Sequence, residues 1–259
     1  MTATRQTRTL PALPPGPVEM PAPIVSWSEV IAQDTTWTEH SHPYHELMWN
    51  ERGASTAVSG SRVWTITPNL GLWMPAGTLH SGSASAGTWC RANFFAYDAV
   101  EPISPTPVTV EITPLLRLLL ERLADPGLPE RSRRLTEAMV LDVLTPSPHE
   151  LLVQLPTSEL LRPIATAIRE NPGDQRTLED WAARLGVSAR TISRAFLAET
   201  GTSFGRWVAL VRAQHAVELL AKGYDVETVA EQVGYRSASA FGAAFQRTTG
   251  LTPGAFRRR

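Results

Sequence analysis

The strongest constraint on the fold is an internal repeat in the last third of the chain. Residues 177–201, TLEDWAARLGVSARTISRAFLAETG, align with residues 226–250, VETVAEQVGYRSASAFGAAFQRTTG. Ala182 matches Ala230 at an interval of 48 residues, whereas the apolar positions further along match at an interval of 49, so the second turn is one residue longer. Each copy predicts a helix, a tight turn that contains a glycine and a second helix, which is the helix-turn-helix arrangement.

The second helix of each copy carries the candidate DNA-contacting residues. Ile192 and Phe196 are the apolar positions that should face the core in the first copy. Ser188 is placed to cap that helix, and Ser237 or Arg236 begins the other. Hydroxyl side chains, arginines and a glutamine are left on the exposed faces: Ser188, Arg190, Thr191, Ser193 and Arg194 in the first copy, and Arg236, Ser237, Ser239, Gln246 and Arg247 in the second. These side chains bind phosphates and base edges, so we expect a double-stranded DNA operator as partner.

The segment between the two copies supports the same interpretation. Residues 203–223, SFGRWVALVRAQHAVELLAKG, predict an amphipathic helix long enough to hold the two units rigidly apart. Two such units can enter successive major grooves about 34 Å apart. Residues 157–259 carry 14 Arg and Lys against 10 Asp and Glu, whereas residues 1–156 carry 10 against 15. The basic excess of the C-terminal third is modest, so charge alone makes DNA binding plausible without requiring it.

The repeat and the helix between its copies resemble the AraC/XylS family of bacterial transcription regulators. The motifs that carry the resemblance are LGVSARTISRAF, RAQHAVELL, VAEQVGY, SASAFGAAF and TGLTPGAFR, within about the last hundred residues. The resemblance implies a site of about twenty base pairs, contact by both recognition helices and a separate regulatory N-terminal domain. Ala243 departs from the family, which usually has a basic residue there. We therefore expect the first recognition helix to supply most of the sequence discrimination.

Residues 24–100 predict a β-domain. Short strand-like runs are separated by Gly, Pro, Ser and Asn at intervals of about eight to twelve residues, which favours a small barrel or sandwich. The region holds six of the eight tryptophans: Trp27, Trp37, Trp49, Trp64, Trp73 and Trp89. Most are expected in the core, but a domain so rich in aromatic residues could also line a pocket for a flat ligand.

The stretch HSHPYHELMWNERG, residues 40–53, has three histidines and a glutamate within its first seven residues. His40, His42 and Glu46 share parity, so on a regular strand they would face one side, with Pro43 as a local kink. His45 has the opposite parity and is expected at the surface or in packing. Three imidazoles, with His80 as the third, and one carboxylate suffice to bind Zn, Fe, Mn or Ni.

The same stretch resembles the first cupin motif, and PAGTLH, which ends at His80, resembles the second. The resemblance implies a cupin-like barrel in which His40, His42, Glu46 and His80 hold a transition metal or line a metal-free effector pocket. Asp34 and Ala84 depart from it, because a glycine and an asparagine are usual at those positions.

The predicted fold class is α+β, with a cupin-like barrel, a helical linker and an all-α domain with two helix-turn-helix motifs. We expect a disordered arm at residues 1–21, the barrel at 22–110, a linker or dimerisation segment at 111–156 and the DNA-binding domain at 157–259. Leucines of the predicted linker helix either pack on the barrel or form a homodimer surface: Leu115, Leu116, Leu118, Leu119, Leu120 and Leu123.

These features predict a transcription regulator that senses a small-molecule effector. RNA polymerase is a further partner if the protein is an activator. The first alternative is a regulator that senses the metal ion itself, and the second is a metalloenzyme fused to a DNA-binding domain. We expect no enzyme activity, because fusion to a DNA-binding unit gives a function to a barrel that senses a ligand but not to one that catalyses a reaction. No apolar run reaches the ~18 residues of a membrane helix, and Cys90 is the single cysteine, so a cytoplasmic location is expected.

Overall fold

The computed structural model describes residues 6–257 and divides the chain into two compact units. The first unit ends at Glu150, and the second begins at Leu151 and also includes Ser61–Trp64. Among the described residues, no helix is both long and apolar enough to cross a membrane. The boundary lies six residues before the one expected at 156/157, because residues 151–155 pack within the second unit.

The first unit is built mainly of two β-sheets. Its strands, in chain order, are β1 (Gln6–Arg8), β2 (Ile24–Val30), β3 (Thr35–His40), β4 (His45–Arg52), β5 (Ser55–Ser59), β6 (Arg62–Ile66, of which Thr65 and Ile66 belong to this unit), β7 (Leu70–Met74), β8 (His80–Ala84), β9 (Trp89–Phe95) and β10 (Val108–Glu111). One sheet has the order β1-β3-β8-β5-β6, and the other has the order β10-β7-β4-β9-β2. The described strands remain in two separate sheets, so the expected closed barrel is replaced by an open arrangement consistent with a cupin-like jelly roll.

Two helices cover the outer face of the five-stranded sheet. They are α1 (Pro114–Leu123) and α2 (Glu130–Val143). One core cluster joins apolar side chains of the sheet to those of the helices: Ile24, Leu47, Trp49, Trp73, Phe95, Val110, Leu116, Leu119, Leu120, Leu123 and Val140. Leu115 and Leu118 point away from this core and are 48% and 63% exposed. The leucines of α1 therefore divide between packing on the sheet and an apolar surface.

The N-terminal segment differs from the disordered arm expected at residues 1–21. Residues 1–5 lie outside the described part of the chain. From Gln6 onward, β1 pairs in parallel with β3, and the Leu13 amide donates to the Ser41 carbonyl at 3.2 Å. The Gly16 amide likewise donates to the Pro43 carbonyl at 3.1 Å. Backbone groups left unpaired between the prolines thus find partners on the bend that follows β3, which orders residues that composition alone marks as disordered.

The second unit contains the two predicted helix-turn-helix motifs. Its elements are β11 (Leu152–Gln154), α3 (Arg162–Glu170), α4 (Leu178–Leu185), α5 (Ala189–Thr200), α6 (Phe204–Ala221), α7 (Val226–Gln232), α8 (Ala238–Thr249) and α9 (Pro253–Arg257). Helices α4 and α5 form the first motif and α7 and α8 the second, with α6 between them. Gly186 has φ +66°, a left-handed conformation that ends α4 in a tight turn. The predicted repeat is confirmed.

Helix caps explain where the recognition helices α5 and α8 begin. The Ser188 hydroxyl accepts a hydrogen bond from the Thr191 amide at 3.1 Å, and the Ser237 hydroxyl accepts one from the Ala240 amide at 3.2 Å. Each cap satisfies a backbone donor that has no partner within its helix. Ser237, rather than Arg236, is therefore the capping residue of the second recognition helix.

Helix α6 anchors β11 inside the second unit. The Trp207 indole Nε1–H donates to the Gln154 carbonyl at 2.8 Å, and Gln214 Nε2 donates to the carbonyls of Val63 and Leu151. β11 also pairs antiparallel with Arg62–Trp64. These bonds account for the earlier start of the second unit.

Substitution of two glycines by alanine is expected to have opposite effects on stability. A Cβ at Gly71 would lie 2.9 Å from the Met48 carbonyl oxygen and 2.9 Å from Ile112 Cδ1, whereas Gly205 has open space around it. We expect Gly71→Ala to lower the free energy of unfolding by ~1–3 kcal/mol. Gly205→Ala should raise it by about 0.5–1 kcal/mol, because alanine is the better helix former. Urea unfolding of both variants checks this, and a shift of the same sign in both would contradict it.

Candidate functional site

A cavity of about 480 Å³ lies between the two sheets of the first unit. Strands β4 and β9 turn alternate side chains into it, among them Glu46, Met48, Ala92 and Phe94. The opposite wall comes from the other sheet, and residues of the N-terminal segment complete the lining: Arg8, Leu10, Pro11 and Leu13. Pockets for small molecules usually measure about 300–1,000 Å³, so the cavity can hold a small organic ligand.

The four predicted metal or effector residues come together at one end of this cavity. His40 ends β3 and His80 begins β8, where the two residues pair across the sheet with ring centroids 4.3 Å apart. The ring of His42 lies 4.9 Å from that of His40 and 5.3 Å from that of His80. Glu46 Oε2 lies 3.5 Å from His42 Nε2 and 3.7 Å from His80 Nε2.

The cluster does not form in the way that residue parity predicts. The chain leaves the strand conformation after His40 and re-enters it at His45, so His42 lies in the intervening bend. The His42 carbonyl accepts a hydrogen bond from the Gly77 amide at 2.7 Å, which fixes the bend against the turn before β8. The kink expected at Pro43 therefore lies between β3 and β4, and His40, His42 and Glu46 do not share one regular strand.

Backbone carbonyls fix the tautomers of two of the histidines. His40 Nδ1 lies 2.7 Å from the Thr38 carbonyl oxygen, and His80 Nδ1 lies 2.9 Å from that of Thr78. A carbonyl only accepts, so each Nδ1 must donate its proton. The lone pair of each neutral ring is then on Nε2. This is the arrangement found in histidines that ligate metals.

Burial favours the neutral forms of Glu46, His42 and His80 at physiological pH in the absence of a cation. Desolvation raises the pKa of Glu46 from its usual 4.5 to about 8, and one of its carboxyl oxygens, Oε2, is buried without a hydrogen-bond partner. Desolvation and the neighbouring imidazoles His80 and His40 lower the pKa of His42 to about 4. Desolvation likewise lowers the pKa of His80 to about 4. Near pH 7 these groups are a protonated carboxyl and neutral imidazoles.

This donor set fits a transition-metal ion. The histidines each offer one nitrogen, and these nitrogens lie within 4.8 Å of one another. Tetrahedral bonds of about 2.0–2.2 Å place ligand atoms roughly 3.3–3.6 Å apart, close to the two Glu46 distances given above. The imidazoles would have to close by about 1 Å to bind the ion with Glu46. The partnerless Glu46 oxygen is the structural observation that most favours a cation here.

Aromatic side chains form the wall next to the cluster. The rings of His42 and Tyr44 are stacked at 5.2 Å with an interplanar angle of 7°, and the Tyr44 ring lies 4.8 Å from that of Phe94. Trp27 and Trp37 also line the cavity. A flat ligand could therefore stack against the wall while its polar atoms meet the histidines.

The N-terminal segment contributes Arg8 to the cavity wall, and an ion pair with Glu29 neutralises its charge. Arg8 donates from Nη1 and Nη2 to the two carboxylate oxygens of Glu29 at 2.7 and 2.6 Å, and these bonds lower the pKa of Glu29. The guanidinium also lies 5.5 Å from the centre of the Trp37 ring. Sequence reasoning missed Arg8 and Tyr44 as pocket residues. The signal for Tyr44 was its place inside the histidine motif, whereas no local signal marked Arg8.

His45 lies outside the cluster, as its parity indicates. Its ring stacks between Trp73 and Tyr97 at centroid distances of 5.3 and 5.8 Å. Its Nδ1 accepts a hydrogen bond from the Ala76 amide at 3.0 Å, and the residue is buried. Of the two expected roles, surface or packing, the structure places His45 in packing.

All ten predicted DNA-contacting residues are exposed on the second unit. On α5, Arg190 and Arg194 lie one turn apart, while Ile192 and Phe196 are buried on the opposite side. On α8, Phe241 and Phe245 are buried and Ala243 is exposed. The exposed face of α5 therefore presents two guanidinium groups along its length, whereas the middle of α8 presents small side chains.

Comparisons with known proteins place both units in described domain families. Residues 26–163 match the family model of the AraC-like ligand binding domain, and residues 181–259 match a helix-turn-helix domain. The HTH-type transcriptional regulator NimR of Escherichia coli (strain K12) is 30% identical over 222 residues, covering 84% of this chain and 81% of NimR.

Other relatives match the C-terminal part alone. The HTH-type transcriptional regulator RipA of Corynebacterium glutamicum is 43% identical over 102 residues, 39% of this chain and 31% of RipA. Among solved structures, the DNA-binding domain of AdpA in complex with a target DNA is 33% identical, with a TM-score of 0.37, covering 39% of this chain and 92% of that one.

The domain matches agree with the architecture of the two units. The ligand-binding match covers β3, β4 and β8, which carry the histidine cluster, and the helix-turn-helix match covers both recognition helices. NimR is similar over most of both chains, so the match is not confined to one domain. The chain belongs to the AraC family of DNA-binding transcription regulators and has an AraC-like ligand-binding domain in its N-terminal part.

Proposed function

We propose that the cavity of the first unit binds a small-molecule effector that controls how α5 and α8 bind an operator. The observation that carries the proposal is the convergence of three histidines and a partnerless buried carboxyl group on one end of an aromatic-lined cavity. A polar cluster left with unmet hydrogen-bonding or coordination capacity inside a protein is costly unless a ligand satisfies it. The domain that holds it is, by its family, a ligand-binding domain.

We propose that α5 supplies most of the base discrimination. The guanidinium groups of Arg190 and Arg194 are not engaged in the described ion pairs and can bind guanine edges or phosphates. Ser188 and Thr191 bond to one another at 2.8 Å, so their hydroxyls are partly committed to the cap, and Ser193 remains available to a base or phosphate. The exposure of Arg190, Ser193 and Arg194 is consistent with contact to DNA.

The second recognition helix has a different distribution of polar groups. Arg236, Ser237 and Ser239 lie at its start, and Gln246 and Arg247 lie near its end. We assign these residues mainly to phosphate contacts, because the exposed Ala243 between them offers no hydrogen-bonding group.

The second candidate function is direct sensing of a transition-metal ion. The observation that favours it is the tautomer of two histidines. Hydrogen bonds from Nδ1 to the Thr38 and Thr78 carbonyls leave the ring lone pairs on His40 Nε2 and His80 Nε2. With His42 and Glu46, these atoms would hold Zn, Fe, Mn or Ni. The bound ion would supply positive charge that draws the proton from Glu46. We place a metalloenzyme last, because a regulator needs only binding at this site.

We propose a homodimer that associates through the apolar surface of α1 and α2. Leu115 and Leu118 on α1 and Leu135 and Met139 on α2 are each at least 48% exposed. Helices α1 and α2 pack against each other, and exposed apolar surface is a common mark of association. RNA polymerase is the further partner if the regulator activates transcription, and a protein whose partner is the operator would act in the cytoplasm.

Substitutions on α5 test the DNA contacts. Duplexes selected from a random-sequence pool by the parent protein serve as probes. If Arg190 binds a base edge, Arg190→Ala should weaken binding by ~1–3 kcal/mol and relax selectivity at one position. If Arg194 binds phosphate, Arg194→Ala should weaken binding to all duplexes alike. Arg169→Ala on α3 is the matched control. Parent-like affinity and selectivity in both α5 variants would refute the assignment.

Elemental analysis distinguishes the two candidate functions of the cavity. The protein is purified without a metal-affinity tag, and about one equivalent of a transition metal is expected if the cluster is a metal site. His42→Ala should lose the metal because one ligand is removed, whereas His149→Ala, which changes an exposed histidine, should keep it. A metal-free parent protein would favour the metal-free pocket, and a screen of small aromatic ligands by tryptophan quenching would follow.

The raised pKa of Glu46 predicts a dependence of stability on pH in the chelator-treated protein. Between pH 4.5 and about 8 the folded state keeps the proton that the unfolded chain releases, so this group lowers stability progressively as pH rises through that window. Glu46→Gln cannot titrate, so its stability relative to the parent should rise by ~1.4 kcal/mol per pH unit. His42 and His80 are present in both proteins and largely cancel. Denaturant unfolding at several pH values measures the difference, and a constant difference would contradict the prediction.

A further inference from the structure

A polar bridge inside the second unit connects the two helix-turn-helix motifs directly. It consists of Arg212 on α6, the loop at residues 171–176 before α4, and the turn at residues 232–235 after α7. We propose that Arg212 and Gln175 are positioning residues that fix the orientation of α8 relative to α5. The orientation of α8 is a property of the protein alone, whereas its effect on DNA binding rests on the proposed function.

Arg212 joins the two motifs through three contacts. Its Nε donates to the Pro172 carbonyl at 2.9 Å, and its Nη2 donates to the Asp174 carbonyl at 2.8 Å. Its guanidinium also lies 5.5 Å from the centre of the Tyr235 ring. A planar guanidinium can bond to two carbonyls with its edge while its face meets an aromatic ring. A lysine has no such geometry.

Gln175 makes a second connection beside the first. Its Nε2 donates at 2.9 Å to the Gly173 carbonyl within the loop and at 2.9 Å to the Gly234 carbonyl in the turn. The two backbones meet closely here, because a Cβ at Gly234 would lie 2.9 Å from Gly173 Cα and one at Gly173 would lie 3.0 Å from the Gln232 carbonyl oxygen. Side chains larger than hydrogen would separate the loop from the turn.

The bridge reaches the hydrophobic core of each motif. On the first side, Arg176 pairs with Asp174 and its guanidinium lies 3.9 Å from the centre of the buried Trp181 ring on α4. On the second side, the Tyr235 ring lies 5.7 Å from that of Phe241, a buried residue of α8. Polar and aromatic contacts therefore run continuously from the core under α5 to the core under α8.

Helix α6 also packs directly on the second motif, because it contacts α7, α8 and α9. Between the end of α6 and the start of α7 the chain passes through a turn in which Gly223 has φ +90°. The bridge adds a connection that bypasses this turn, because it joins the loop before α4 to the turn before α8.

Pairs of spin labels measure the orientation without DNA. In the full-length Cys90→Ser background, Ala198→Cys on α5 and Ala243→Cys on α8 provide two exposed labelling positions. The parent should give one narrow distance distribution. Arg212→Met, which keeps the stem and removes the guanidinium, should broaden it by about twofold or more, and Gln175→Ala should broaden it in the same direction.

A matched variant and a second readout keep this test decisive. Arg206→Met removes an exposed guanidinium from the same helix and should leave the distribution unchanged. Gln175 is exposed, so Gln175→Ala tests the bridge even if Arg212→Met fails to fold. Thermal unfolding followed by circular dichroism identifies a variant that has lost its fold. Parent-like distributions in folded Gln175→Ala and in the Arg212→Met, Gln175→Ala double variant would overturn the proposal.

DNA spacing tests the consequence. A duplex selected by the parent protein is extended by one base pair between its two protected segments, which rotates them by about one-tenth of a turn. The parent should lose about tenfold or more in affinity, and the folded bridge variants should lose clearly less. Equal losses would overturn the consequence for DNA. If the parent selects no duplex, the proposed function fails, whereas the spin-label distances still decide the bridge.

Discussion

The central strands of the five-stranded sheet, β4, β7 and β9, are largely buried on both faces, and the candidate site depends on this constraint. On β4, Leu47 and Trp49 pack towards α1 and α2, while Glu46 and Met48 face the cavity. Burial of each large apolar side chain contributes about 1.5–3 kcal/mol. The helices thus stabilise the strands from outside, and the inner face does not have to be filled with close-packed side chains. A cavity can exist between the sheets because the opposite face carries the core.

The same constraint sets the chemistry of the cluster. Glu46 lies near the start of β4, where the strand is paired with Met74 on one side and with Phe94 on the other, so its side chain cannot reach water by a small movement of the backbone. It remains in a medium where the charged form is costly, so the carboxyl group retains its proton. The carbonyls of Thr38 and Thr78 point the histidine lone pairs inward at the same time. These lone pairs favour a cation or a ligand that donates hydrogen bonds, and they repel an anion that has no hydrogen-bond donor.

The parts of the structure that depend on local sequence could be predicted, and the parts that depend on long-range pairing could not. Ala182, the turn glycine and Ser188 predict the helix-turn-helix because their spacing reflects helix crossing and capping. Pro43 predicted a kink next to His42, but the contact that fixes it could not be predicted, because it is a hydrogen bond from Gly77 more than thirty residues later. Arg8 lies in a segment with the composition of a disordered arm, and its order comes from an edge strand that local composition does not reveal.

The one-residue difference between the two copies of the repeat acquires a physical meaning in the bridge. In the first copy, Val187 alone separates the turn glycine from the capping serine, whereas Tyr235 and Arg236 do so in the second. The longer turn places an aromatic ring beneath Arg212 and leaves an exposed arginine ahead of the cap of α8. The second motif thus gains a contact to the first motif and a cation just before α8, while the middle of α8 presents the small side chain of Ala243. In the proposed division of roles, α5 selects the sequence, and the bridge holds α8 where its terminal groups can reach the backbone of the same duplex.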